Sequence, residues 1–234
     1  MRLLFIPITL LLLTGKLGCA TGLRVVGHNG QAIGLENQAV AQIKAGDLAG
    51  ARQSLDKALR LDGKLWTAYW QRADLDMMQR KWELAVYDAG MALHGGPLLM
   101  KASIIRANAN SQLGRYDAAL SEFDHLISLA PSEDAYPYVL GMAAWIRSTC
   151  PDSRYRNGKL ALEQAKHACN LTVYKDSRYL EILAAAQAEN GDFASATASE
   201  EKAIALEKDP NTGKRLQEEM SLLKQHKPLR SRPK

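Results

Sequence analysis

Gly114-Arg115-Tyr116-Asp117-Ala118-Ala119 is one copy of a motif that this chain repeats. Gly46-Asp47-Leu48-Ala49-Gly50-Ala51 is a second copy, and Gly191-Asp192-Phe193-Ala194-Ser195-Ala196 is a third. The first two lie two periods of 34 residues apart. Other series keep the same step: Ala39, Ala73, Ala107 and Gly141; Ala51, Ala85 and Ala119; Leu48, Trp82 and Tyr116; Gly63, Pro97 and Pro131. Self-similarity at a fixed period marks a repeat array, and it is sought before any other feature because missing it misassigns the whole fold.

The spacing reads as pairs of antiparallel helices joined by tight turns. Small residues such as Ala73 and Ala85 let two helix backbones approach, while Leu55 and Phe123 recur at helical spacing and fill the space between pairs. Gly46, Gly114 and Gly191 suit a helix end that needs positive φ. Arg80 stands at that place in the second repeat, so a slightly different turn is expected there. On these residues the chain resembles the tetratricopeptide repeat (TPR) family. The late Ala-Leu pair of that family has counterparts in Ala58-Leu59, Ala92-Leu93 and Ala203-Ile204. The resemblance implies an all-α, right-handed superhelix of about five helix-turn-helix repeats, here placed at 32–65, 66–99, 100–133, 134–175 and 177–210.

The fourth repeat is longer. Its small residue Gly141 and the next, Ala184, are 43 residues apart, and the excess falls in the insertion Cys150–Asn157 between helices expected over Ala135–Thr149 and Gly158–Thr172. The run Cys150-Pro151-Asp152-Ser153-Arg154-Tyr155-Arg156 resembles a variant repeat of bacterial TPR proteins. Leu216, Met220 and Leu223 form one apolar stripe, so 211–225 reads as a capping helix. The basic tail 226–234, with Pro228 and Pro233, is expected to be disordered, and 21–31 to be a Gly-containing linker.

Residues 1–20 read as an export leader. Arg2 precedes an apolar run from Leu3 to Leu13, too short to span a bilayer, which takes roughly 20 apolar residues, but suited to a signal peptide. Two processing routes fit. One is cleavage after Ala20; the other is lipidation of Cys19, whose Leu17-Gly18-Cys19 context resembles a bacterial lipobox, although Lys16 stands where that motif usually has an apolar residue. Either route places the protein in the periplasm or cell envelope, with membrane attachment only through a lipid at Cys19.

The net charge of +5 is carried by the termini. Seven basic residues lie in the leader or the last eleven positions, leaving 23 against 25 acidic residues, so the body gives no basic surface for nucleic acid. No phosphate-cradling loop, metal-ligand spacing or nucleophile–base set emerges, and neither a cofactor nor a catalytic residue is expected. Cys150, at the turn between the two helices, and Cys169, about twelve residues into the second, would be roughly 18 Å apart at ~1.5 Å per residue, beyond the ~7 Å reach of a disulfide unless the insertion folds back along the hairpin.

What remains is a binding face. In TPR arrays the first helix of each repeat lines the inner surface, which the resemblance assigns to Trp70, Asp74 and Met77, then Lys101, Ile104, Asn108 and Ser111, with Glu36, Arg178 and Glu181 from other repeats. Trp70 is the candidate anchor, because Trp is enriched among binding hot spots. The reading is a non-enzymatic scaffold for a protein or peptide partner in the bacterial envelope. An accessory subunit of an enzyme complex and a cytoplasmic regulator are the competing readings.

Overall fold

The computed structural model describes residues 28–95, 100–129 and 136–231. Among these, regular structure is helical throughout. The helices are α1 Gly30–Lys44, α2 Leu48–Leu61, α3 Trp66–Met78, α4 Trp82–Leu93, α5 Met100–Gln112, α6 Tyr116–Ser128, α7 Tyr136–Thr149, α8 Gly158–Leu171, α9 Ser177–Glu189, α10 Phe193–Leu206 and α11 Pro210–Lys224. They divide into a unit holding α1–α5, up to Leu113, and a unit holding α6–α11, from Gly114. In the first, α1 pairs with α2 and α3 with α4, and α3 also meets α5. In the second, α7 pairs with α8 and α9 with α10, while α9 also packs on α7 and α8 and α11 packs on α10.

The turn chemistry explains the pairing. Gly46, Gly114 and Gly191 have φ of 81°, 75° and 81°, the left-handed geometry that costs glycine least. After Gly46 and Gly191 an aspartate caps the next helix: Asp47 accepts from the Gly50 amide at 2.8 Å and Asp192 from the Ser195 amide at 3.0 Å. The expected difference at Arg80 is not found. Arg80 takes φ 60°, and its turn repeats the same amide bonds, Arg80 N to Met77 O at 3.0 Å and Lys81 N to Asp76 O at 2.8 Å, as Gly46 and Asp47 make to Ile43 and Gln42. Tertiary packing of α3 on α4 imposes the turn on a residue that disfavours it, and Lys81 supplies no side-chain cap.

Small residues sit where close approach demands them. Ala51, Ala73, Ala85, Ala107 and Ala119 are all fully buried. A Cβ at Gly141 would lie 3.0 Å from the Tyr179 ring on α9 and 3.1 Å from Ile182, so this repeat takes glycine where the others take alanine. Leu216, Met220 and Leu223 of α11 are buried, as the apolar stripe requires.

Two features differ from expectation, and a third, the insertion, has no structural reading from sequence. Helix α1 begins at Gly30, capped by the Asn29 side chain on the Gln31 amide at 2.9 Å, so the linker does not reach residue 31. The insertion is an ordered plug: Asp152 caps a 3₁₀ turn at Ser153–Tyr155, the Tyr155 hydroxyl donates to Asp117 at 3.0 Å, and Arg156 donates to Cys150 O at 2.8 Å and Glu189 at 3.0 Å. The tail is not disordered over 226–231. Leu229 is 3% exposed, Arg230 pairs with Glu189 at 2.7 Å, and the Ser231 amide donates to Thr149 O at 2.8 Å. Composition alone could not order this segment; an apolar anchor, an ion pair and a main-chain bond do.

Candidate partner-binding site

Helix α3 carries Trp70, Asp74 and Met77 on one stripe, set by spacings of four and three residues. Helix α5 packs beside it and contributes Lys101 and Asn108. The two helices converge at one point: Lys101 Nζ lies 4.8 Å from the centre of the Trp70 ring, within cation–π range. Burial pushes the Lys101 ammonium below its usual pKa, and the Asp74 carboxylate opposes that shift. Trp70, Asp74 and Lys101 therefore form one group, an aromatic face, a cation on it and a carboxylate behind. Trp70 and Lys101 keep partial exposure, whereas Asp74 is 2% and Met77 and Asn108 are each 1% exposed. Ile104 and Ser111 are likewise buried.

The neighbouring aromatics have other partners. Trp66 stacks on Tyr69 at 6.2 Å and lies 6.4 Å from the His94 ring. The Arg72 guanidinium covers Tyr69 at 5.6 Å. Trp70 is paired with the next repeat's first helix through Lys101.

Behind the stripe, an ionic lattice fixes α3 that periodicity did not reveal. Arg72 donates to Asp88 on α4 through Nε at 2.7 Å and Nη2 at 2.8 Å, and to Asp56 on α2 through Nη1 at 2.8 Å. Arg52 of α2 pairs with Asp76, and Gln71 donates to Glu36 of α1 at 2.7 Å. Burial raises the Glu36 pKa, against hydrogen bonds from Thr67 and Gln71 that lower it.

In the C-terminal unit, Glu181 and Arg178 were expected on the binding face. Instead Arg215 of α11 grips Glu181 with two bonds of 2.6 and 2.8 Å and donates to Glu219 at 2.9 Å, while Arg178 pairs with Asp176. Glu200 of α10 is fully buried beside them, with neither carboxylate oxygen hydrogen-bonded. Burial, then the charges of Glu181 and Glu219, push its pKa up to about 9, and burial with Glu181 raises Glu219 to about 7. Glu200 falls four residues after Ala196 and three before Ala203, both buried, so its burial was readable from the alanine stripe.

Cys150 and Cys169 are free and buried, and the Cys169 thiol donates to Tyr179 O at 3.2 Å. Burial pushes the Cys169 thiol up to about 12, which makes it unreactive. Among the described residues no group of three or more His, Cys, Asp or Glu side chains could hold a metal ion, and no helix is long and apolar enough to cross a membrane. Cys19 lies outside the described residues.

Residues 101–133 match the tetratricopeptide repeat family model. No curated protein matches the sequence. Among solved structures, MamA residues 41 to the end from Desulfovibrio magneticus RS-1 aligns with TM-score 0.64 at 17% identity over 77% of this chain and 97% of its own. A tetratricopeptide repeat protein from Parabacteroides merdae aligns with TM-score 0.67 at 15% identity over 85% and 75%. YrrB, a TPR protein with an unusual peptide-binding site, aligns with TM-score 0.61 at 17% identity over 80% and 92%. At these identities the likeness is one of fold: an all-α chain whose helices pack pairwise as in TPR arrays.

Proposed function

We propose that the chain is a non-enzymatic TPR scaffold that holds a protein or peptide partner and works in the bacterial cell envelope after export. The observation that carries the binding claim is the Lys101–Trp70 contact backed by Asp74. A partly exposed indole with a partly desolvated cation on its face is an anchor of the kind that dominates interface energies. The lattice through Arg72 and Gln71 holds the helix that presents it, so little ordering is left for binding. The peptide site described for YrrB gives the fold a precedent for this use, on analogy alone. The leader at 1–20 supports the envelope setting, with Cys19 as the lipidation candidate.

The test uses the intact chain as bait in envelope extract from its host. Trp70→Ala is expected to weaken capture of the partner so identified by ~2 kcal/mol or more while leaving helicity unchanged. Lower stability with normal binding would return Trp70 to a packing role and remove the anchor. Export is tested separately by intact mass from the host. A species starting at residue 19 with added lipid mass, or at residue 21, is expected; a soluble cytoplasmic species retaining Met1 would refute export.

A further inference from the structure

Residues 226–231 look by composition like solvated tail, with Lys227, Pro228 and Arg230 among six residues. Such a segment cannot bury enough apolar surface to order itself. Its order therefore reports on the surface that receives it, at the C-terminal ends of α7 and α9. Leu229 inserts into the apolar cluster that also holds Trp145, Ala188 and Leu223. Arg230 pairs with Glu189 at 2.7 Å and donates to Ser148 O at 3.1 Å, one of the carbonyls at the negative end of α7. The Ser231 amide donates to Thr149 O at 2.8 Å, and the two hydroxyls meet at 2.6 Å.

The receiving groups are held by the scaffold itself. Arg156 of the insertion donates to Glu189 at 3.0 Å and to Cys150 O at 2.8 Å, and the Asn157 amide donates to Arg147 O at 3.0 Å. The Thr149 hydroxyl donates to Trp145 O at 2.8 Å. A fixed carboxylate, an apolar slot and a carbonyl for a main-chain amide are what recognition of an extended peptide uses, the main chain for affinity and the pocket for sequence. Of the strap's own side chains only Leu229 is buried.

We propose that the ends of α7 and α9 form a docking site for an extended partner segment bearing an apolar residue followed by arginine, and that residues 226–231 occupy this site in cis. The site is separate from the Trp70 group and does not depend on it. A tether holds the strap at an effective concentration of the order of mM, so a free segment competes only weakly with the intact chain.

The experiment removes residues 226–234 from the full chain and measures polarisation of a labelled peptide of residues 225–234. The truncated protein is expected to bind it saturably at one site, and the intact chain at least ~10-fold more weakly, as a tethered competitor requires. A peptide with Arg230→Glu, or a truncated protein with Glu189→Gln, should lose that binding. In parallel, the full chain with Leu229→Asp and Arg230→Glu frees the site without truncation and should bind the wild-type peptide. A folded variant of either kind that fails to bind, or equal binding by intact and released chains, overturns the proposal. Loss of the cooperative melt in both variants overturns it too, since the strap would then be part of the fold.

Discussion

Glu200→Gln gives the sharpest test of the buried charges. Glu200 is enclosed by Glu181 of α9 and by Arg215 and Glu219 of α11, with no hydrogen bond to either oxygen. Arg215 is committed to Glu181 and Glu219, so Glu200 stays protonated up to about pH 9 in the folded chain. Unfolded, the same group ionises near its ordinary value of 4.5. The folded state therefore holds one more proton, and stability falls as pH rises through that interval. One full proton is worth about 1.4 kcal/mol per pH unit. Glu219 adds to the slope only up to about pH 7. Between pH 7 and 8.5, where Glu200 dominates, parental stability should drop by roughly 1–2 kcal/mol. Glu200→Gln keeps a neutral side chain of nearly the same size, so it should flatten that slope and melt above the parent at pH 8.5. Urea unfolding followed by far-UV circular dichroism at pH 7.0, 7.75 and 8.5 reads both quantities. Stability that is flat or rising with pH in the parent, or a slope kept by Glu200→Gln, would show that Glu200 is ionised in the fold and that the argument from its burial is wrong.

Arg80→Gly should stabilise the chain by ~0.5–1 kcal/mol, the left-handed penalty of a non-glycine residue less the added freedom of glycine when unfolded. Lys81→Asp should add ~1 kcal/mol by supplying the missing cap, and thermal melts of the single and double variants check both. Ala85→Leu should cost roughly 1–3 kcal/mol by overpacking α4, where Ala85 is fully buried, and an unchanged melt would refute the register of the second repeat.

The period of 34 residues marked the small residues at the helix crossings of the first three repeats because backbone approach dictates them, which sequence records directly, while the longer fourth repeat had to be read from its insertion. Ala85 and Gly141 could hardly be larger. The turn at Arg80 was misjudged for the opposite reason. A local preference was read as decisive, while packing of α3 on α4 overrode it. The strap was missed because disorder was inferred from average composition, and its order rests on Leu229, the Arg230 contacts with Glu189 and Ser148, and the Ser231 main-chain bond. The candidate site was legible as a helix face and not as a constellation. The stripe of Trp70, Asp74 and Met77 follows from spacing, but that Lys101 covers Trp70, 31 residues on, depends on how α5 lies against α3.

Polar pairs one period apart explain why the two units offer different surfaces. Arg215 and Glu181 are separated by 34 residues, as are His28 and Asp62, so each pair joins equivalent or near-equivalent places in successive repeats. Such pairs fix the register between repeats, and a buried carboxylate that lost its guanidinium would be left uncompensated. In the C-terminal unit this use consumes the first-helix charges: Glu181 is 1% exposed and held by Arg215, and Arg178 is turned onto Asp176. Glu181 and Arg178 there serve cohesion. In the N-terminal unit the register is carried by His28 together with Arg72, Arg52 and Gln71, which lie off the Trp70 stripe. Trp70 and Lys101 are thereby spared, and they remain partly open to solvent with cation and ring already in contact. An array that assigns cohesion to one set of residues can leave another set on the same helix open to solvent, and on α3 that open set is the one proposed for recognition.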